Sequence, residues 1–120
     1  MGTRSDTIIY DDNGREICVM FGMFDGYPDG HGRDLKCFLR GRKLVNGFTD
    51  KNTRDFNGMD CMSGSLIAYF KKGVGNFYIH PAGTRSGEYN YHIKKRGEYI
   101  EVTMFDSHND ILEEWNSGED

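Results

Sequence analysis

The chain has 120 residues and a formal net charge of −4, a length that supports one domain with a modest core. Only 37% of its residues are hydrophobic, yet 13% are aromatic, so few positions supply large packing areas and a disordered chain is excluded. Six acidic and no basic residues fall between Asp106 and Asp120, leaving 15 basic and 13 acidic residues elsewhere; this near-neutral body counts against duplex nucleic acid as a partner but leaves room for a small anion.

In chain order, Thr7–Tyr10 reads as a strand, and Asp11-Asp12-Asn13-Gly14 as a type I′ hairpin turn. Glu16–Phe24 returns as a long strand with apolar residues on both faces, the mark of an interior strand. Asp25–Gly32 is a Gly-rich loop leading into a helix that starts near Gly30–Arg33. Leu35, Phe38 and Leu39 give that helix its core face, and Gly41 stops it. The polar stretch from Arg42 to Asn57 carries no clear period. A second helix is expected from an Asp60 N-cap, with Met62, Leu66, Tyr69 and Phe70 as its stripe and Lys71-Lys72-Gly73 as its end.

Asn76–His80 reads as a strand, Pro81–Gly87 as a loop, and Glu88–Lys95 with Tyr99–Phe105 as a hairpin around Arg96-Gly97. Ile111, Leu112 and Trp115 fit a short helix or a docked segment. This order predicts a single α+β domain over residues 1–115, with an antiparallel sheet of four to five strands and two helices on one side. Residues 116–120 are expected to be a flexible acidic tail.

Gly-Thr-Arg-Ser occurs twice, at Gly2–Ser5 and Gly83–Ser86. The flanking residues share little, which argues against duplication and leaves two similar anion-binding loops, or coincidence. Arg4 and Arg85 would each bring a guanidinium, hydroxyls and backbone N–H groups to a phosphate or carboxylate. In the Asp25–Arg33 loop, His31 and Arg33 add donors where Gly30 and Gly32 would let an anion approach the backbone; the same glycines also suit a tight turn with no ligand. Phe24, Tyr27 and Tyr91 stand near these loops as rings on which a nucleobase could stack, or as ordinary core.

The remaining chemistry is sparse. His31, His80, His92 and His108 share no metal-ligand spacing with one another or with the three cysteines, and neither a cofactor nor a disulfide framework is expected. Three widely spaced cysteines fit a reducing cytoplasm, and no apolar run approaches membrane length.

The opening "MGTRSDTIIYDDNGRE" and the segment "MFDGYPDGHGRDL" resemble a group of small, largely uncharacterised bacteriophage and prophage proteins. These begin Gly-Thr-Arg-Ser and carry an aromatic-Asp-Gly-Tyr element, here Phe24-Asp25-Gly26-Tyr27, with Phe24 where many relatives have Trp. The likeness covers roughly the first forty residues and, more loosely, the later "FYIHPAG" and "EYNYHIKKRGEYIEV" strands. It implies a phage accessory protein in the cytoplasm of an infected bacterial host, and carries over no catalytic residue.

Three functions follow as expectations. The first is a non-enzymatic sponge for a nucleotide-derived host immune signal, binding a small anionic ligand through Arg4, Phe24, Asp25, Tyr27, His31, Arg33, Arg85 and Tyr91, in a homo-oligomer. The second is a protein-binding inhibitor of a host defence nuclease or effector, using the acidic tail. The third is a small nucleotide hydrolase using Asp25, His31 and a metal.

Overall fold

The computed structural model describes residues 2–47 and 54–119. β1 (Ser5–Tyr10) and β2 (Glu16–Gly22) form the first hairpin. Its turn is built by Asp11, whose carboxylate accepts from the Asn13 and Arg15 backbone N–H groups at 2.9 Å each. Gly14 alone has a positive φ, 81°, so the expected type I′ turn, which needs two such residues, is replaced by a longer bulged loop. The pairing register shifts at Ile9/Tyr10 beside it.

A π-helical turn (Pro28–Gly32) leads into α1 (Arg33–Leu39). Pro28 sits where a first turn loses nothing by lacking an N–H. Gly41, at φ 78°, ends the helix as its sequence position implies. The stretch from 42 to 57 contains two short parallel strands, β3 (Leu44–Val45) and β4 (Phe56–Asn57); residues 48–53 lie outside the described residues.

α2 spans Gly58–Phe70 and so begins two residues before Asp60, the expected cap. Asp12, in the first hairpin turn, performs the capping instead: its carboxylate accepts from the Met59 N–H at 3.1 Å. Gly58 holds φ 81°, and a Cβ there would come within 3.0 Å of Asp12 Oδ2. Met59, Met62, Leu66 and Phe70 face the core, whereas Tyr69 of the expected stripe is exposed.

β5 (Phe77–Pro81), β6 (Tyr89–Arg96), β7 (Tyr99–Phe105) and β8 (Ile111–Asn116) complete one sheet in the order β5-β2-β1-β6-β7-β8. The protein is α+β as expected, but the sheet has six strands and is mixed, because β1 and β6 run parallel. β8 replaces the short terminal helix. Asp106 accepts from the His108 and Asp110 N–H groups and turns the chain back along β7, where Trp115 faces Val102.

Alternation along the strands separates two faces. Ile9, Met20, Tyr91, Ile93, Val102 and Met104 meet the apolar sides of α1 and α2. The opposite face is crossed by residues 82–88, which run from the end of β5 back over β2 and β1 to the start of β6.

The tail is a further correction. Ser117 is buried; its N–H donates to Ile100 O, and its hydroxyl accepts from Ile100 N and donates to Arg42 O. Its carbonyl accepts from Gly41 N, and Gly118 packs on the Tyr99 ring. These bonds to α1 and β7 hold 116–119 against the fold despite their charge, and Asp120 lies outside the described residues.

Candidate functional site

The second Gly-Thr-Arg-Ser loop is an anion-binding loop whose anions are the protein's own. Asp6, in the middle of β1, accepts from Ser86 N and Gly87 N at 2.7 and 2.8 Å. Glu16 accepts from Gly83 N and makes a two-pronged ion pair with Arg85, at 2.7 and 3.1 Å. The Arg85 hydrogen bonds hold the Glu16 carboxyl below the usual carboxylate range. Beside them, Tyr10 stacks on His92 and its hydroxyl lies 2.7 Å from His92 Nδ1. Burial, with Lys94 and Arg85 nearby, pushes His92 down to about 4.

The first Gly-Thr-Arg-Ser segment does a different job. Its carbonyls accept: Thr3 O from Gly26 N, and Arg4 O from Glu88 N and Tyr89 N. A Cβ on Gly87 would sit 2.6 Å from the Ser5 backbone, so the ends of the two segments touch. Their guanidinium groups do not converge. Arg4 is exposed and has no ion pair among the described residues, while Arg85 lies over the Asp6 side of the sheet.

The Asp25–Arg33 loop also satisfies its donors internally. Gly26 N bonds Thr3 O, Gly30 N bonds Tyr27 O, and His31 N bonds Asp25 O, each at 2.9 Å. A Cβ on Gly30 would lie 2.5 Å from Asp25 O, and one on Gly32 would press on Met104 and Tyr91. The glycines therefore serve close packing within the protein. Tyr91 is buried, with its hydroxyl donating to Gly26 O at 2.6 Å, and burial raises its pKa; it braces the loop from beneath. Tyr27 is exposed and its hydroxyl reaches Asp25 Oδ1 at 3.4 Å, while Arg33 is exposed at the start of α1.

Three of the expected residues, Arg4, Asp25 and His31, lie around the ring of a fourth. Phe24, 51% exposed, stands between two clefts. One, of about 330 Å³, is lined by Gly2, Arg4, Met23 and Glu88. The other, of about 280 Å³, is walled by Phe24, Tyr69, Phe70 and Phe77, with Asp25, Asp34, His31, Lys72 and Asn76 supplying polar groups. A larger hollow of about 510 Å³, between β3 and the β6–β7 turn, contains none of the expected residues.

Local structure fixes the ridge. Asn76, at φ 63°, accepts from Met23 N and Phe24 N through its side-chain oxygen, at 3.2 Å each, which leaves its NH2 for the cavity. Asp25 itself sits at φ 55°, an uncommon conformation for a residue with a side chain. His31 is 4% exposed, with Nε2 2.6 Å from Thr7 Oγ1 and its ring packed edgewise on Phe70 and Tyr91. Burial pushes it down to about 3, so its imidazole is neutral at physiological pH. Among the described residues no three His, Cys, Asp or Glu side chains cluster in a way that could hold a metal ion.

Asp34, Tyr69, Lys72 and Asn76 also line the ring-walled cleft, though none is among the residues the sequence nominates. Tyr69 was assigned to the core stripe and Lys72 to a helix end; the available signal was their position between an aromatic pair and a Gly-rich link. No helix of the described residues is long and apolar enough to cross a membrane. Compared with protein-family models, curated proteins and solved structures, the chain matches none.

Proposed function

We propose that this chain is a non-enzymatic binder of a small nucleotide-like ligand, a phage accessory protein that sequesters a nucleotide-derived host immune signal in the cytoplasm of the infected cell. The observation that carries the reading is the Phe24 ridge, with the Arg4 guanidinium, free of ion pairs among the described residues, on one side and a ring-walled cavity on the other. Rings take the flat face of a base, and a guanidinium suits a phosphate. The hydrolase alternative is weaker, because a base needs a pKa near the working pH and His31 lies far below it.

Melting the protein with a panel of cyclic dinucleotides and ADP-ribose derivatives tests the proposal. A ligand at a hundred times its Kd adds about 2.7 kcal/mol, or roughly 10 °C in Tm, and is recovered intact. Recovery of a chemically altered ligand supports an enzyme instead.

One feature favours a protein partner as the second reading. β8 is an edge strand exposing Ile111 and Leu112 beside Glu113 and Glu114, a combination suited to a basic surface with an apolar seam. If no nucleotide shifts Tm, a host nuclease or effector docking there becomes the reading to pursue.

A further inference from the structure

The charge inside the ring-walled cavity is opposite to what a phosphate requires. Asp25 and Asp34, both exposed, border it with two carboxylates; Asp25 Oδ1 accepts from the Tyr27 hydroxyl at 3.4 Å, and neither carboxylate has an ion pair among the described residues. Lys72 is the one cation of the lining, and its ammonium lies 5.1 Å from the Tyr69 ring centre, over the ring face. His31 contributes a neutral imidazole whose Nε2 is engaged by Thr7, while Nδ1 has no partner among the described residues. The Asn76 oxygen is bound to backbone, so Asn76 offers only N–H. The cavity is therefore rich in acceptors at its carboxylate wall and flat at its ring walls. At about 280 Å³ it falls just below the size of drug-sized pockets, room for a base but not for a whole dinucleotide.

We infer that this cavity reads guanine, with a carboxylate of Asp25 or Asp34 accepting from the imino and amino N–H groups of the base. The inference rests on the nucleotide-binding reading above and specifies its ligand. Two carboxylate oxygens lie side by side and call for two parallel donors, as they do with a guanidinium. Among the common bases only guanine presents adjacent ring N–H and amino donors. Adenine and cytosine set a ring-nitrogen lone pair next to the amino group, where it would face the second carboxylate oxygen. Uracil flanks its single N–H with two carbonyls, which a carboxylate repels. A site built on such hydrogen bonds rejects analogues lacking them far more strongly than an apolar pocket does. The two carboxylates also exclude the phosphate from the cavity. Past the Phe24 ring, Arg4 is a cation without a carboxylate partner among the described residues, and it receives the anionic end.

Calorimetric titration of the full chain with GMP, AMP and inorganic phosphate tests this, with circular dichroism confirming that each variant folds. GMP should bind about 10- to 100-fold more tightly than AMP, the worth of one charge-assisted hydrogen bond. Asp25→Asn or Asp34→Asn should remove most of that preference, whereas Phe24→Ala should weaken both nucleotides alike. Equal affinity for GMP and AMP, or a preference untouched by both Asp variants, overturns the guanine assignment while a loss on Phe24→Ala still upholds nucleotide binding. Phosphate alone binding as tightly as GMP overturns the assignment too. Absence of binding by either nucleotide, or binding indifferent to Phe24→Ala, overturns both readings.

Discussion

The two Gly-Thr-Arg-Ser segments have the same letters and opposite fates. In the second, the Gly83, Ser86 and Gly87 N–H groups and the Arg85 guanidinium are already bonded to Asp6 or Glu16, and the loop is a strap across the sheet. In the first, the backbone carbonyls tie down neighbouring chain and the guanidinium is left open beside Phe24. A motif of donors therefore says that an anion is wanted, but not whether the anion comes from within. The deciding carboxylates lie far away in sequence: Asp6 is 80 residues from Ser86.

Breaking the strap should cost the most. Asp6→Ala leaves the Ser86 and Gly87 N–H groups without their acceptor, and should lower stability by about 2–4 kcal/mol in urea unfolding, with ligand affinity unchanged. Lowered pH acts on the cavity side. His31 takes up a proton near 6.5 in the unfolded chain but only near 3 when folded, so stability is full above pH 6.5 and falls as pH drops through the window down to 3. At pH 5 the loss should be about 2 kcal/mol, read by urea unfolding across pH. His92 is shifted the same way and adds a smaller loss, softened by its partial solvent exposure. His31→Asn should remove most of the slope; an unchanged slope would assign it elsewhere.

Smaller effects sharpen the contrast. Ser117→Ala removes the acceptor for the buried Ile100 N–H and should cost about 1–2 kcal/mol, whereas a merely solvated tail would tolerate it. Arg85→Ala should cost about 1 kcal/mol, because its pair with Glu16 is still partly open to solvent.

The legible part of the fold was local. Short apolar runs between turn residues marked β1, β2, β6 and β7, and the Leu35, Phe38, Leu39 spacing marked α1. What escaped was decided by partners distant in sequence. Ile111, Leu112 and Trp115 carry a helical spacing, but β7 captures them as a strand. Asp12 caps a helix 47 residues away, and the parallel β1–β6 pair joins Ser5–Ile9 to Tyr89–Ile93. The residues expected of a candidate site divide in the same way. Phe24, Asp25, His31 and Arg4 do meet around one ridge, while Arg85 and Tyr91 turn out to be bonded into the scaffold.

The proposed ligand binds at the Phe24 ridge and not at the strap. Backbone amide chemical shifts, followed by NMR during titration with a guanine nucleotide, test it most directly. Shifts concentrated at Arg4, Phe24, Asp25, Asp34, Lys72 and Asn76, with residues 83–87 unmoved, are expected. Shifts centred on Gly83–Gly87, with the ridge silent, would contradict it.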